Sequence, residues 1–124
     1  MAWKFGKKSL ERLEGIKAPL QSLAKSSIAD SPYDFSITCG LRTVEEQRVL
    51  VATGKSRTMK SKHLTGDAFD IAVFDENGKL TWDLKYYKKV AAHIKKVAAK
   101  LGVKVEWGGD WQSFIDGPHF QLGK

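Results

Sequence analysis

Residues 68–83 read Ala68-Phe69-Asp70-Ile71-Ala72-Val73-Phe74-Asp75-Glu76-Asn77-Gly78-Lys79-Leu80-Thr81-Trp82-Asp83. Ala68 to Asp75 is apolar but for its aspartates and predicts a strand. Asn77-Gly78 signals a tight turn, and Lys79 to Trp82 the returning strand. Asp83 then caps a helix whose apolar face is Leu84, Tyr87, Val90, Ala91, Ile94, Val97, Ala98 and Leu101, with Gly102 ending it. A hairpin followed by a helix, without repeating βαβ units, predicts an α+β fold with a mainly antiparallel sheet.

Beyond Gly102, Val103 to Trp107 and His119 to Leu122 read as strands, the second a short final one. Upstream, residues 54–66 hold small and polar residues and read as a mobile loop. Thr43 and Glu46 form a capping box for a helix running to about Thr53. Asp34 to Cys39 reads as a strand after the Ser31-Pro32 turn. Residues 9–29 read as a helix capped by Ser9 and kinked or interrupted at Pro19.

The 124 residues suffice for one domain, so residues 1–124 are read as a single domain with no separate targeting or binding module. The chain begins with charged residues and has no signal-peptide pattern. It also has no apolar run near the roughly 18 residues that span a bilayer, so it is expected to be made in the cytosol without stable membrane insertion. Nothing in it demands more than a monomer. A single cysteine, Cys39, excludes an internal disulfide and reads as a buried, inert thiol. The net charge of +7 favours anionic partners. The lysines fall in short doublets spread along the chain rather than in one patch with exposed aromatics, so no nucleic-acid partner is expected.

Two segments carry candidate chemistry. In Ser61-Lys62-His63-Leu64-Thr65-Gly66-Asp67-Ala68-Phe69-Asp70, His63 precedes a carboxylate set in an apolar strand, which must be paired, protonated or metal-bound. In Asp116-Gly117-Pro118-His119-Phe120, a second histidine begins a strand. Two imidazoles and a carboxylate suit zinc and leave a fourth position for water. Spacing alone leaves other readings ahead of this one: Asp70 salt-bridged to Arg42 or a lysine, His63 a surface loop residue, His119 a core histidine. His93, off the apolar helix face, reads as solvated, and Asp67 as facing water. Trp107 and Trp111 read as core rather than substrate platform.

Resemblance shifts that balance. Ser61-x-His63-x-x-Gly66-x-Ala68-x-Asp70 followed by Asp116-x-Pro118-His119-Phe120 resembles the paired signature of the D-alanyl-D-alanine carboxypeptidase and L-alanyl-D-glutamate endopeptidase family of zinc peptidases. Gly40-Leu41-Arg42-Thr43 with Gln47 resembles that family's arginine motif. Glu106-Trp107-Gly108-Gly109-Asp110-Trp111 resembles the segment before its last ligand. The matches fall in family order over residues 40–120.

The resemblance implies the hedgehog/D-Ala-D-Ala peptidase-like fold, with Zn2+ held by His63, Asp70 and His119. It implies Asp116 as general base, with Glu106 as competitor, and Arg42 as the group meeting the oxyanion. Ser61, Gln47 and Glu106 are weaker candidates for substrate or supporting hydrogen bonds. The implied substrate is the peptidoglycan stem peptide, and the implied reaction is hydrolysis of its L-alanyl-D-glutamate bond by a phage endolysin that waits in the host cytoplasm until the membrane is breached. Removal of a terminal D-Ala is the alternative. A non-catalytic zinc-containing cell-wall-binding module is another, on the analogy of hedgehog domains.

Overall fold

The computed structural model describes residues 3–56, 58–113 and 115–123. The elements, in chain order, are α1 (Lys7–Leu13), α2 (Ala18–Ile28), β1 (Phe35–Cys39), α3 (Val44–Ala52), β2 (Ala68–Phe74), β3 (Leu80–Thr81), α4 (Leu84–Leu101), β4 (Val105–Trp107) and β5 (His119–Leu122). The strands form one sheet in the order β1-β2-β5-β4, with β3 also on β2, and every pairing is antiparallel. The α+β reading holds.

Side chains alternate across a strand, and β2 uses the alternation to separate two jobs. Phe69, Ile71 and Val73 are fully buried and join Ile37, Phe120, Leu20, Leu23, Val90 and Ile94 in the core under the helices. Asp70, between Phe69 and Ile71, therefore faces the opposite side of the sheet. The core fixes the strand, and the strand presents a carboxylate away from the core.

Helix α4 is amphipathic as read. Asp83 Oδ1 accepts from the Lys85 amide at 3.1 Å, and Tyr87, Val90, Ala91, Ile94 and Ala98 are buried. Its six lysines are all exposed, and it carries no acidic residue, so much of the positive charge gathers on one outer face. That clustering is tighter than the doublets suggest.

Several expectations need correction. Residues 9–29 form two helices, not one. Pro19 sits in the first turn of α2, where its missing N–H costs no helical bond, and the break falls earlier, at residues 14–17. Ser9 caps nothing: it is buried within α1, and its Oγ accepts from the Ile37 amide at 3.0 Å, tying α1 to β1. His93 is half-buried, and its Nε2 donates to the Ser27 carbonyl at 2.8 Å, linking α4 to α2. Asp67 is half-buried and pairs with Lys17 at 3.5 Å. The loop read over 54–66 contains a 3-10 turn at Lys62–Thr65, and Arg57 within it lies outside the described residues.

Candidate active site

The strand register assembles the site. Asp70 on β2 pairs directly with Cys39 on β1 and with His119 on β5. Three residues distant in sequence thus stand side by side on one face of the sheet. His63 comes from the 3-10 turn, where the Ser61 hydroxyl accepts from the His63 amide at 3.2 Å. Gly66 closes that turn at φ 74°, a left-handed conformation that a side chain opposes. A Cβ there would also stand 3.0 Å from the Gly15 carbonyl. The turn returns the chain so that His63 lies over β2.

His63 Nε2 and His119 Nδ1 each lie 3.1 Å from the same Asp70 oxygen, Oδ1. Their other nitrogens are committed. His63 Nδ1 lies 2.8 Å from the Gly40 carbonyl, which can only accept, so this nitrogen carries a proton. His119 Nε2 lies 2.8 Å from Gln121 Oε1, and the Gln121 amide nitrogen points 3.4 Å toward Glu106 Oε2, which fixes the amide's orientation. Neutral imidazoles held this way would aim two lone pairs at a carboxylate oxygen. Only a cation relieves that arrangement, and either a proton on the facing nitrogens or a metal ion that these residues would hold could supply it. The donor set therefore fits a divalent ion of zinc's type.

The titration of the groups carries the same message. Burial is the largest single influence on Asp70 and opposes its charge. Hydrogen bonds from His119 and His63, with their charges, outweigh it and hold the carboxyl well below the usual range. Burial likewise opposes a charged His63, but the Asp70 hydrogen bond, the Cys39 contact and the charges of both push it up to about 10. Asp116 moves the other way: burial first, then the neighbouring Asp70 charge, raise its carboxyl above the ordinary aspartate value.

Asp70, Asp116 and His119 offer donor atoms within 4.8 Å of one another, as do Cys39, His63 and Asp70. The apolar run around Cys39 predicts an inert core thiol. It is instead half-buried beside the site, with Sγ 3.6 Å from His63 Nδ1 and 3.4 Å from an Arg42 nitrogen. Burial is again the largest influence on this thiol, yet the His63 hydrogen bond and the charges of His63 and Arg42 bring it below its usual value. It faces the protonated nitrogen of His63, the one turned away from Asp70.

Arg42 is held from three sides. Its amide donates to the His63 carbonyl at 2.9 Å. Its guanidinium donates to Gln47 Oε1 at 2.8 Å and stands 3.9 Å from Asp70 Oδ2. Gln47 is fully buried and also donates to Ser56 Oγ and the Thr58 carbonyl, at 2.8 and 2.5 Å. It supports Arg42 and the loop together. Gln47→Leu leaves these partners unmatched. We expect a loss of about 1–3 kcal/mol in chemical denaturation and roughly tenfold in kcat/KM from a displaced guanidinium. Unchanged turnover would remove Gln47 from the site.

Asp116 is placed by Gly108. Its amide donates to the Gly108 carbonyl at 3.0 Å, and its own carbonyl accepts from the His119 amide at 3.1 Å. A Cβ on Gly108 would stand 2.3 Å from the Asp116 carbonyl oxygen. Gly108→Ala must therefore push Asp116 aside. The expected result is retained metal content with turnover down by about tenfold to a hundredfold, since small misplacements of reacting groups are costly. Metal analysis beside an activity assay checks it.

Arg42, Ser61, His63, Asp70, Asp116 and His119 all line one cleft of about 760 Å3, together with Leu50, Lys55, Trp111 and Ile115. Trp107 is core as read, with its indole donating to the Gly117 carbonyl. Trp111 is not: it stands in the cleft, its ring 5.2 Å from that of His119. Glu106 is exposed and does not line the cleft, reaching the site only through Gln121. Gln121 escaped the sequence reading, though its place two residues after His119 on one strand puts both on the same face.

A model of the phage L-alanyl-D-glutamate peptidase family matches residues 1–122. The chain is 40% identical over 120 residues to the L-alanyl-D-glutamate peptidase of Escherichia phage T5, covering 94% of this chain and 87% of that protein. It is 32% identical over 112 residues to the peptidoglycan L-alanyl-D-glutamate endopeptidase CwlK of Bacillus subtilis (strain 168), covering 79% of this chain and 66% of that one. The crystal structure of the Serratia marcescens L-Ala D-Glu endopeptidase ChiX superposes with a TM-score of 0.88 at 36% identity, over 97% of this chain and 90% of that one. With the site's geometry and matches along nearly its whole length, the chain belongs to the phage L-alanyl-D-glutamate peptidase family.

Proposed function

We propose that the protein is a zinc-dependent endopeptidase that hydrolyses the L-alanyl-D-glutamate bond of peptidoglycan stem peptides, acting on the cell wall as a phage endolysin. The observation that carries this reading is the convergence of His63 Nε2 and His119 Nδ1 on Asp70 Oδ1, in a cleft that also holds Asp116 and Arg42. Its relatives from phage T5 and Bacillus subtilis are named for that bond.

His63, Asp70 and His119 would hold the zinc ion. When bound, zinc supplies Lewis-acid polarisation of the scissile carbonyl and makes water more acidic. Asp116, its basicity raised by burial and by Asp70, takes a proton from the attacking water and returns it to the departing amine of the glutamyl residue. Arg42, always cationic, offers donors to the oxyanion that develops on the alanyl carbonyl. Ser61 shapes the turn that carries His63. A binding module that had kept only the metal would need neither base nor oxyanion partner.

Digestion of purified peptidoglycan with mass analysis of the new ends tests the reading. Free L-Ala carboxyl and D-Glu amino termini support it. Released D-Ala would move the assignment to a carboxypeptidase, and wall binding without new termini to a non-catalytic module.

A further inference from the structure

The cleft contains a second cation that the mechanism does not use. We infer that Lys55 is a specificity determinant that reads the free carboxylate of the glutamyl residue on the leaving side of the scissile bond. This rests on the proposed L-alanyl-D-glutamate cleavage. A glutamyl residue has two carboxyl groups. Its amine lies in the scissile bond, one carboxyl continues the peptide, and the other is left free unless it is amidated. The substrate therefore brings a negative charge within a few bonds of the reacting carbon.

The cleft as built by its catalytic groups opposes that charge, because Asp70 and Asp116 both line it. Arg42 already has other work: Gln47, Cys39 and Asp70 hold its guanidinium in place, and its remaining donors are assigned to the oxyanion. Lys55 lines the same cleft, is exposed, and among the described residues has no carboxylate within 4.0 Å.

Its backbone is fixed. The Lys55 and Ser56 amides both donate to the Leu50 carbonyl, at 2.8 and 3.0 Å. The adjoining Ser56 and Thr58 are tied to the buried Gln47 amide, the same group that holds Arg42. One buried side chain thus sets the spacing between the two cations. An ammonium on a long stem is a point charge that follows a single carboxylate without demanding two-pronged geometry.

The test uses two synthetic peptides with the L-Ala-D-Glu bond, one with the glutamyl carboxylate free and one with it amidated. They are assayed with the wild-type protein, Lys55→Met and Lys55→Arg. The wild type should cleave the free acid with a kcat/KM about tenfold higher, expressed mainly in KM and shrinking as salt is raised. Lys55→Met should lose that preference while cleaving the amidated peptide like the wild type and keeping its metal content and melting temperature. Lys55→Arg should keep most of the preference. A wild type without the preference, a Lys55→Met variant that retains it, or an equal loss on both peptides would overturn the inference while leaving the proposed function intact. A wild type that cleaves neither peptide at this bond overturns both.

Discussion

Asp116→Asn should keep its metal and lose roughly 10²- to 10⁴-fold in turnover, the range carried by a positioned proton-transfer group. The change is nearly isosteric, and the two backbone hydrogen bonds that place residue 116 do not involve its side chain. What disappears is the basic oxygen. The pH profile gives an independent check. Burial and the Asp70 charge raise the Asp116 carboxyl, so its basic form exists only above a pKa higher than an ordinary aspartate's. As pH falls through that raised value, kcat/KM should fall with it, and Asp116→Asn should flatten this acid limb. Glu106→Gln is the control. It weakens the support of His119 through Gln121 and should cost no more than about 10–100-fold, the usual scale for an outer partner of a metal ligand. If Glu106→Gln abolishes turnover with metal retained while Asp116→Asn stays active, the base is Glu106.

His63→Ala should cost both metal and activity. The loss of zinc affinity should exceed the roughly 10–100-fold typical of outer-sphere partners, measured by competition with a chelator and by metal content after dialysis. A folded, fully active, metal-free wild type would sink the zinc assignment. The same site predicts a direction with pH. His63 is pushed up to about 10, so at neutral pH an incoming ion must displace its proton. Lower pH favours the proton, so zinc retention should weaken steadily from pH 8 to pH 5, by up to about tenfold per unit for each proton displaced. Retention that did not change over that interval would contradict the Asp70-centred cluster.

Much of this was legible in the chain because it rests on local signals. The capping box at Thr43 and Glu46 is present with both of its bonds. The Asp83 cap and the apolar face of α4 are set by spacing alone. Asp70 could be singled out because a carboxylate in an apolar strand needs a partner. Contacts between distant segments were not legible. Cys39 looks like core in a β-strand pattern, and only the β1-β2 register brings it beside His63. Ser9 looks like a cap until β1 lies against it. Gln47 was a weak candidate because its three partners are five to eleven residues away, across a turn that periodicity does not describe. Ligation is not set by the spacing of His63, Asp70 and His119 alone, which suits a salt-bridged Asp70 and a core histidine at least as well; the ordered motifs over residues 40–120 are what favour it.

The strand order has a consequence in time. β5, which follows β1 to β4 in the sequence, is an inner strand of the sheet, flanked by β2 and β4, and it carries His119 opposite Asp70. A chain emerging from the ribosome can build its helices and the β1-β2-β3 meander early, since domains tend to form from the N-terminal side as synthesis proceeds. It cannot close the sheet or bring the second imidazole to Asp70 until residues 119–122 have emerged. On the proposed site, a chain still short of β5 lacks one of its three zinc ligands, so activity is expected only once β5 has slotted between β2 and β4.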